Sequence, residues 1–236
     1  MSHASDKPVK PLVGKVDCIR LYVSDLEQGL AFYRDRLGHA LIWRTQEAAG
    51  LRLAADESEI VGRTHVVYSG KSQEYRHIPT DDELRIPADA AYLHITTNNT
   101  IKGTQFHHTP VVDPPLIADM SSDILSQRID VSKFAMIYAG AQKNIGPAGL
   151  TVVIVRDDLI GETLAGTPTM FDYKVHADNG SMYNTPPTYG WYLAGLVFKW
   201  LLKQGGLDAM AEINRRKSQR LYAAIEASGF YSSPVD

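Results

Sequence analysis

One cysteine, Cys18, stands in a chain of 236 residues. That scarcity excludes an internal disulfide framework and a cysteine-rich zinc site, and it fits a reducing compartment. Long apolar runs are lacking too. The most apolar stretch, WYLAGLVFKWLL (191–202), contains Lys199 and is too short to span a bilayer. The opening MSHASDKPVKPLVGKVD has no apolar core of the kind a secretory signal needs. Charge of neither sign dominates, with a formal net charge of −3. Nothing therefore points to nucleic acid or to an anionic membrane, and the expected setting is cytoplasmic. The remaining composition is 44% apolar and 22% charged, as in a soluble globular protein with one large domain or two small ones.

The chain changes style near residues 62–66, so the expected division is 1–62 and 63–236. In the first segment, VDCIRLYV (16–23) reads as a strand and SDLEQGLAFYRDRLG (24–38) as a helix. Ser24 and Glu27 have capping-box spacing, Leu26, Leu30, Tyr33 and Leu37 share a face, and Gly38 stops the helix. Residues 40–45 and 50–54 read as strands, with a weaker one at 58–62, giving β-α-β-β and one strand more. In the second segment, strands are expected at 65–70, 91–97, 115–122, 133–140 and 150–156, and helices at 189–203 and 207–228. The last helix is amphipathic, with Leu207, Met210, Ile213, Leu221 and Ile225 roughly on one side.

The run IYAGAQKNIGPAGL (137–150) places one lysine, Lys143, among small and rigid residues. Gly140, Gly146 and Gly149 permit close backbone approach, and Pro147 stiffens the loop. A solvated charge is the ordinary fate of a loop lysine. A rigid loop can instead hold an amine close to a reacting carbon and lower the entropic cost of reaction. Function in α/β sheets gathers at the carboxyl ends of strands. Thr97 to Thr100, Asp119 and Lys143 all fall at or just after expected strand ends. A lysine and a carboxylate brought together there suit pyridoxal phosphate (PLP), through a Schiff base and a protonated ring nitrogen. An ordinary Asp–Lys ion pair is the simpler alternative.

Four stretches carry a resemblance: HITTNNTIKGTQF (94–106), ADMSSDILSQRIDVSKFAMIYAGAQKNIGPAGL (118–150), DYKVHADNGSMYNTPPTYGWY (172–192) and FKWLLKQGGLDAMAEINRRKSQRLY (198–222). Residues from about 64 to 236 resemble the phosphoserine aminotransferases, PLP-dependent aminotransferases of fold type I. The resemblance implies an α/β fold, part of a PLP-transferase large domain with a mostly parallel sheet flanked by helices. It implies that Lys143 forms the Schiff base and shuttles a proton, and that Asp119 pairs with the pyridine nitrogen. It implies that Thr100 bonds near the phenolic oxygen, and that Gln142 lines the cofactor site. Asn184 and Thr185 are implied to reach the cofactor phosphate of a second subunit in a homodimer. The implied reaction interconverts 3-phosphohydroxypyruvate plus glutamate with O-phosphoserine plus 2-oxoglutarate, a step of serine biosynthesis.

Family members are longer than residues 64–236. Their Gly-rich phosphate turn, ring-stacking aromatic and substrate arginine are not found before residue 64, and the chain stops at GFYSSPVD. The expectation is a truncated or chimeric chain with impaired turnover. Residues 14–61 resemble the first half of a glyoxalase-type module of the vicinal oxygen chelate superfamily. Cys18 stands where that resemblance implies a metal-binding histidine, and Glu59 alone makes no metal site. A metal-dependent glyoxalase-like enzyme and a non-catalytic dimer built on the apolar helices are the alternatives. Among the histidines, His94 reads as a packed strand residue, and His176 with Asp178 as a solvated loop pair. Adjacent His107 and His108 would face opposite sides of a strand and could not chelate together. Trp191, Tyr192 and Trp200 read as core or interface.

Overall fold

The computed structural model describes residues 41–44, 49–51, 65–163 and 167–235, the first two stretches as backbone only. The chain forms two compact units: residues 1–65 with 162–172, and residues 66–161 with 173–236. In the first unit, β1 (Leu41–Arg44) pairs antiparallel with β2 (Ala49–Leu51). The register runs from Leu41 opposite Leu51 to Arg44 opposite Ala49, with an irregularity between Leu41 and Trp43. These are two of the expected strands. The expected helix 24–38, the strands 16–23 and 58–62, and both Cys18 and Glu59 lie outside the described residues.

The second unit is built on a four-stranded sheet in the order β3 (Leu93–Thr96), β4 (Leu116–Asp119), β5 (Met136–Gly140) and β6 (Thr151–Val155). β3, β4 and β5 run parallel, and β6 returns antiparallel to β5. The mixed α/β fold agrees with the expected mostly parallel sheet. Side chains alternate across each strand. Leu93, Ile95, Leu116, Ala118, Ile137 and Ala139 project to the buried face, where Met120, Ile124, Phe134, Ala141 and Ile145 join them in one core. His94, Thr96, Ile117, Asp119, Met136 and Tyr138 project to the other face and keep part of their surface in solvent.

Residues 65–70 do not form the expected strand. Val67 bonds Arg85 through its carbonyl, and the chain turns into a single 3-10 turn at Gly70–Gln73. Positive φ at Glu74 and Tyr75 then redirects it. The run is apolar enough for a strand but pairs with no strand among the described residues. The stretch 170–187 contains a short helix that its polar composition hides, α1 (Tyr173–Asp178). Lys174 and Asp178 pair one turn apart at 2.9 Å, so the aspartate answers Lys174 as well as standing near His176 in sequence.

α2 (Thr188–Lys203) and α3 (Gly206–Ser228) form where expected and pack against each other. Gly205, at φ 103°, makes the left-handed break between them. Ala194 and Leu201 of α2 and Met210 of α3 are buried. Trp191, Tyr192 and Trp200 are not core residues in this chain, being 36%, 64% and 49% exposed. The apolar stripe of α3 is likewise covered only in part, and Leu221 is 61% exposed.

Candidate functional site

Three parallel strands deliver their carboxyl ends to one edge of the sheet. Thr96, Asp119 and Tyr138 stand opposite one another in register there. The loops that follow these positions carry the functional groups.

After β3, residues 97–106 form a tight hairpin. Asn98 bridges Gln105, the Asn99 N–H donates to the Thr104 carbonyl at 2.8 Å, and the Phe106 N–H donates to Thr97 at 2.8 Å. The Asn99 side chain accepts from the N–H groups of Ile101 and Lys102, an Asx turn that shapes the tip bearing Thr100. After β5, residues 141–146 coil into one turn, in which the Ile145 and Gly146 N–H groups both donate to the Ala141 carbonyl. Ile145 is fully buried and plugs this turn into the core. Gly146 rests on α2, where an added Cβ would reach Ala194 Cβ at 3.4 Å, an ordinary van der Waals contact. The amine of Lys143 emerges from this anchored turn and donates to Thr100 Oγ1 at 2.8 Å. Gln142 folds back over Gly140, where a Cβ would meet its Oε1 at 2.8 Å.

Asp119 ends β4 half-buried on the open face. Its Oδ1 accepts from the Ser121 N–H at 2.8 Å and from Ser121 Oγ at 2.6 Å. Ser121 Oγ in turn accepts from the Gly140 N–H at 3.0 Å. The neighbouring Asp123 is a brace. Its carboxylate accepts from Thr97 Oγ1 at 2.6 Å and from Gln105 Nε2 at 3.2 Å, tying the hairpin to the turn after β4. Burial pushes the Asp123 carboxyl above its ordinary value, the hydrogen bonds from Thr97 and Gln105 oppose the rise, and the Asp119 charge adds a little to it. Asn98 Nδ2 donates to Ser122 Oγ at 2.9 Å, and Asn144 Nδ2 donates to the Ile124 carbonyl. The three loops therefore brace one another.

Of the residues expected at the site, Lys143 and Thr100 touch directly. Asp119 and Gln142 flank them at the ends of β4 and β5, joined through Ser121 and Gly140. The hydrogen bonds of this cluster do not extend to Asn184 or Thr185, which are exposed between α1 and α2. Sequence reasoning placed Thr97 at a strand end but passed over Ser121, Asp123 and Gln105. The signal available for Ser121 and Asp123 was the acid-hydroxyl spacing of DMSSD (119–123), directly after an apolar strand; Gln105 had none. His94 is exposed on the open face rather than packed, and its Nε2 lies 2.9 Å from Tyr138 Oη with the rings stacked. His107 and His108 lie in a loop, not a strand, and His108 faces Asp81 at 3.3 Å. No group of three metal-ligating side chains occurs among the described residues.

The chain as a whole is similar to known proteins. The class-V aminotransferase family matches residues 38–235, a span that reaches back into the segment likened above to a glyoxalase module. The chain is 56% identical over 185 residues to a phosphoserine aminotransferase of Azotobacter vinelandii, covering 78% of this chain and 51% of that protein. It is also 56% identical over 183 residues to the phosphoserine aminotransferase of Ectopseudomonas mendocina, with 77% and 51% covered. Among solved structures, the phosphoserine aminotransferase from Bacillus circulans subsp. alkalophilus superposes with a TM-score of 0.72 at 47% identity. That superposition covers 74% of this chain and 49% of the other. A PLP-bound phosphoserine aminotransferase from Trichomonas vaginalis superposes with a TM-score of 0.65 at 39% identity, covering 68% and 48%. The chain spans about half the length of the curated relatives it matches. The family match over most of its residues, on a fold shared with the solved aminotransferases, means that the chain belongs to the class-V aminotransferases.

Proposed function

We propose that this chain carries the lysine-bearing part of a PLP-dependent phosphoserine aminotransferase, acting in the cytoplasm as a homodimer on 3-phosphohydroxypyruvate and glutamate. The observation that carries this reading is the amine of Lys143 held 2.8 Å from the Thr100 hydroxyl, with Asp119 at the adjacent strand end. The donor set fits PLP. It offers an amine for a carbonyl carbon and a carboxylate with one oxygen unengaged among the described residues. PLP, when bound, supplies an electron sink for the pair left at a substrate Cα.

Lys143 Nζ would attach the cofactor and move the substrate proton. Its loop keeps it in place, because Ile145 is buried and Gly146 abuts α2. Asp119 would hold the proton on the ring nitrogen by charge-assisted hydrogen bonding. The Thr100 hydroxyl, on a hairpin braced by Asp123, would position both the amine and the cofactor's phenolic oxygen. Gln142 would cover the ring edge above Gly140. Asn184 and Thr185, exposed beyond α1, would serve the phosphate of a second subunit's cofactor. The proposed division of the chain near residues 62–66 is supported by the change of compact unit between residues 65 and 66.

The test is an absorbance spectrum of the purified chain with added PLP, followed by borohydride reduction and peptide mapping. A cofactor band with the label fixed on Lys143 is the expected result, with weak retention and little turnover. No band, or label scattered over surface lysines, would overturn the reading. A second reading, dimerisation without catalysis, is favoured by the apolar surface of α2, where Tyr189 is 72% and Leu202 75% exposed. A stable dimer in sedimentation whose mass and melting point ignore PLP would support that reading, and a monomer would overturn it.

A further inference from the structure

We infer that Ser121 is a positioning residue that aims the Asp119 carboxylate at the cofactor's ring nitrogen. The inference rests on the PLP reading above. Its basis is a proton count. A serine hydroxyl has one hydrogen to give and lone pairs to accept with. Ser121 Oγ already accepts from the backbone N–H of Gly140 at 3.0 Å. Its hydrogen is then directed to Asp119 Oδ1, 2.6 Å away, where the Ser121 N–H also arrives at 2.8 Å. One carboxylate oxygen is thus held twice by the same residue, and the plane of the carboxylate is set. Oδ2 takes no hydrogen bond among the described residues. It is the acceptor left for a cationic N–H, and a charge-assisted bond of that kind is strong only when aligned.

The same hydroxyl couples two strands. Asp119 ends β4, whereas Gly140 ends β5 and lies three residues before Lys143. Ser121 therefore sets the carboxylate relative to the strand that delivers the lysine, which backbone pairing alone leaves to side-chain rotation. Replacement by alanine keeps the 121 N–H bond and deletes both hydroxyl bonds. Threonine keeps the hydroxyl.

The experiment is a PLP titration of the purified chain, with the dissociation constant read by fluorescence quenching and the covalent label at Lys143 read by mass spectrometry. The variants are Ser121→Ala, Ser121→Thr, Asp119→Ala, and Ser121→Ala combined with Asp119→Ala. Ser121→Ala is expected to raise the dissociation constant about tenfold, the scale of one hydrogen bond to a charged group. Ser121→Thr is expected to stay within about twofold of the parent, and saturating PLP should still label Lys143 in every variant. If Ser121 acts through Asp119, its loss has no further effect once Asp119 is alanine. An unchanged constant in Ser121→Ala, or the same tenfold loss in the Asp119→Ala background, overturns the inference alone. Absence of Lys143 label in the parent chain overturns the PLP reading and the inference with it.

Discussion

Replacing Ile145 by alanine tests whether the core holds the lysine in place. Ile145 is fully buried, two residues beyond Lys143, in the same cluster as Ile124, Ile137 and Ala141. Truncation removes the apolar atoms and leaves a cavity that a turn braced on Ala141 and Ala194 closes only in part. Such substitutions cost about 2–5 kcal/mol, and a fully enclosed site belongs near 3 kcal/mol. For a unit of this size that corresponds to a fall in melting temperature of about 6–12 °C. Leu93→Ala, at a buried position on β3 away from the lysine turn, serves as the control of similar cost. Thermal melts and PLP titrations of both variants form the assay. Both should melt early, but only Ile145→Ala should lose PLP affinity at temperatures where the chain is still folded. A melting shift under about 2 °C for Ile145→Ala would refute the claim that this side chain plugs the turn. Equal loss of PLP in both variants would refute the claim that the plug acts locally.

Asp123→Asn tests the buried brace through pH. Its raised folded value means that the folded chain binds this proton more tightly than the unfolded chain. That contribution to stability is fully present below the unfolded aspartate value of about 3.9 and is lost as pH rises through the raised folded value. Urea midpoints of the parent should therefore fall relative to Asp123→Asn across that window, and a constant gap between the two would count against it. Gly140→Ala should fold with a melting point near the parent's, because the new methyl meets only the flexible end of Gln142. It should weaken PLP retention to the same extent as Gln142→Ala, and the double variant should be no worse than either; additive losses would show that the two residues act separately.

The elements that could be read from the sequence were those whose signal is local. Apolar runs closed by polar punctuation became β3 to β6, and the apolar and amphipathic stretches near the end became α2 and α3. Residues 65–70 had the same local signal and failed, since a strand also needs a neighbour and none among the described residues pairs with them. α1 was missed for the opposite reason: six residues give too few turns for a period to show, and the Lys174–Asp178 pair supports it instead. The site divides the same way. That Lys143, Asp119 and Thr100, on three separate stretches, come to one edge was legible because parallel strands carry whatever follows them there, whereas the roles proposed for them came from the resemblance. The bracing between those stretches was not legible, because it depends on register. Ser121 reaches the Gly140 N–H only because Asp119 lies opposite Tyr138 in this pairing, and a slip of one residue would turn the carboxylate to the buried face. The groups that do chemistry in such a site are named by residue type. The groups that aim them are named by which neighbour the sheet brings alongside, and a mutational scan of the DMSSD turn should therefore separate the two classes by whether a change alters attachment at Lys143 or only the affinity with which PLP is retained.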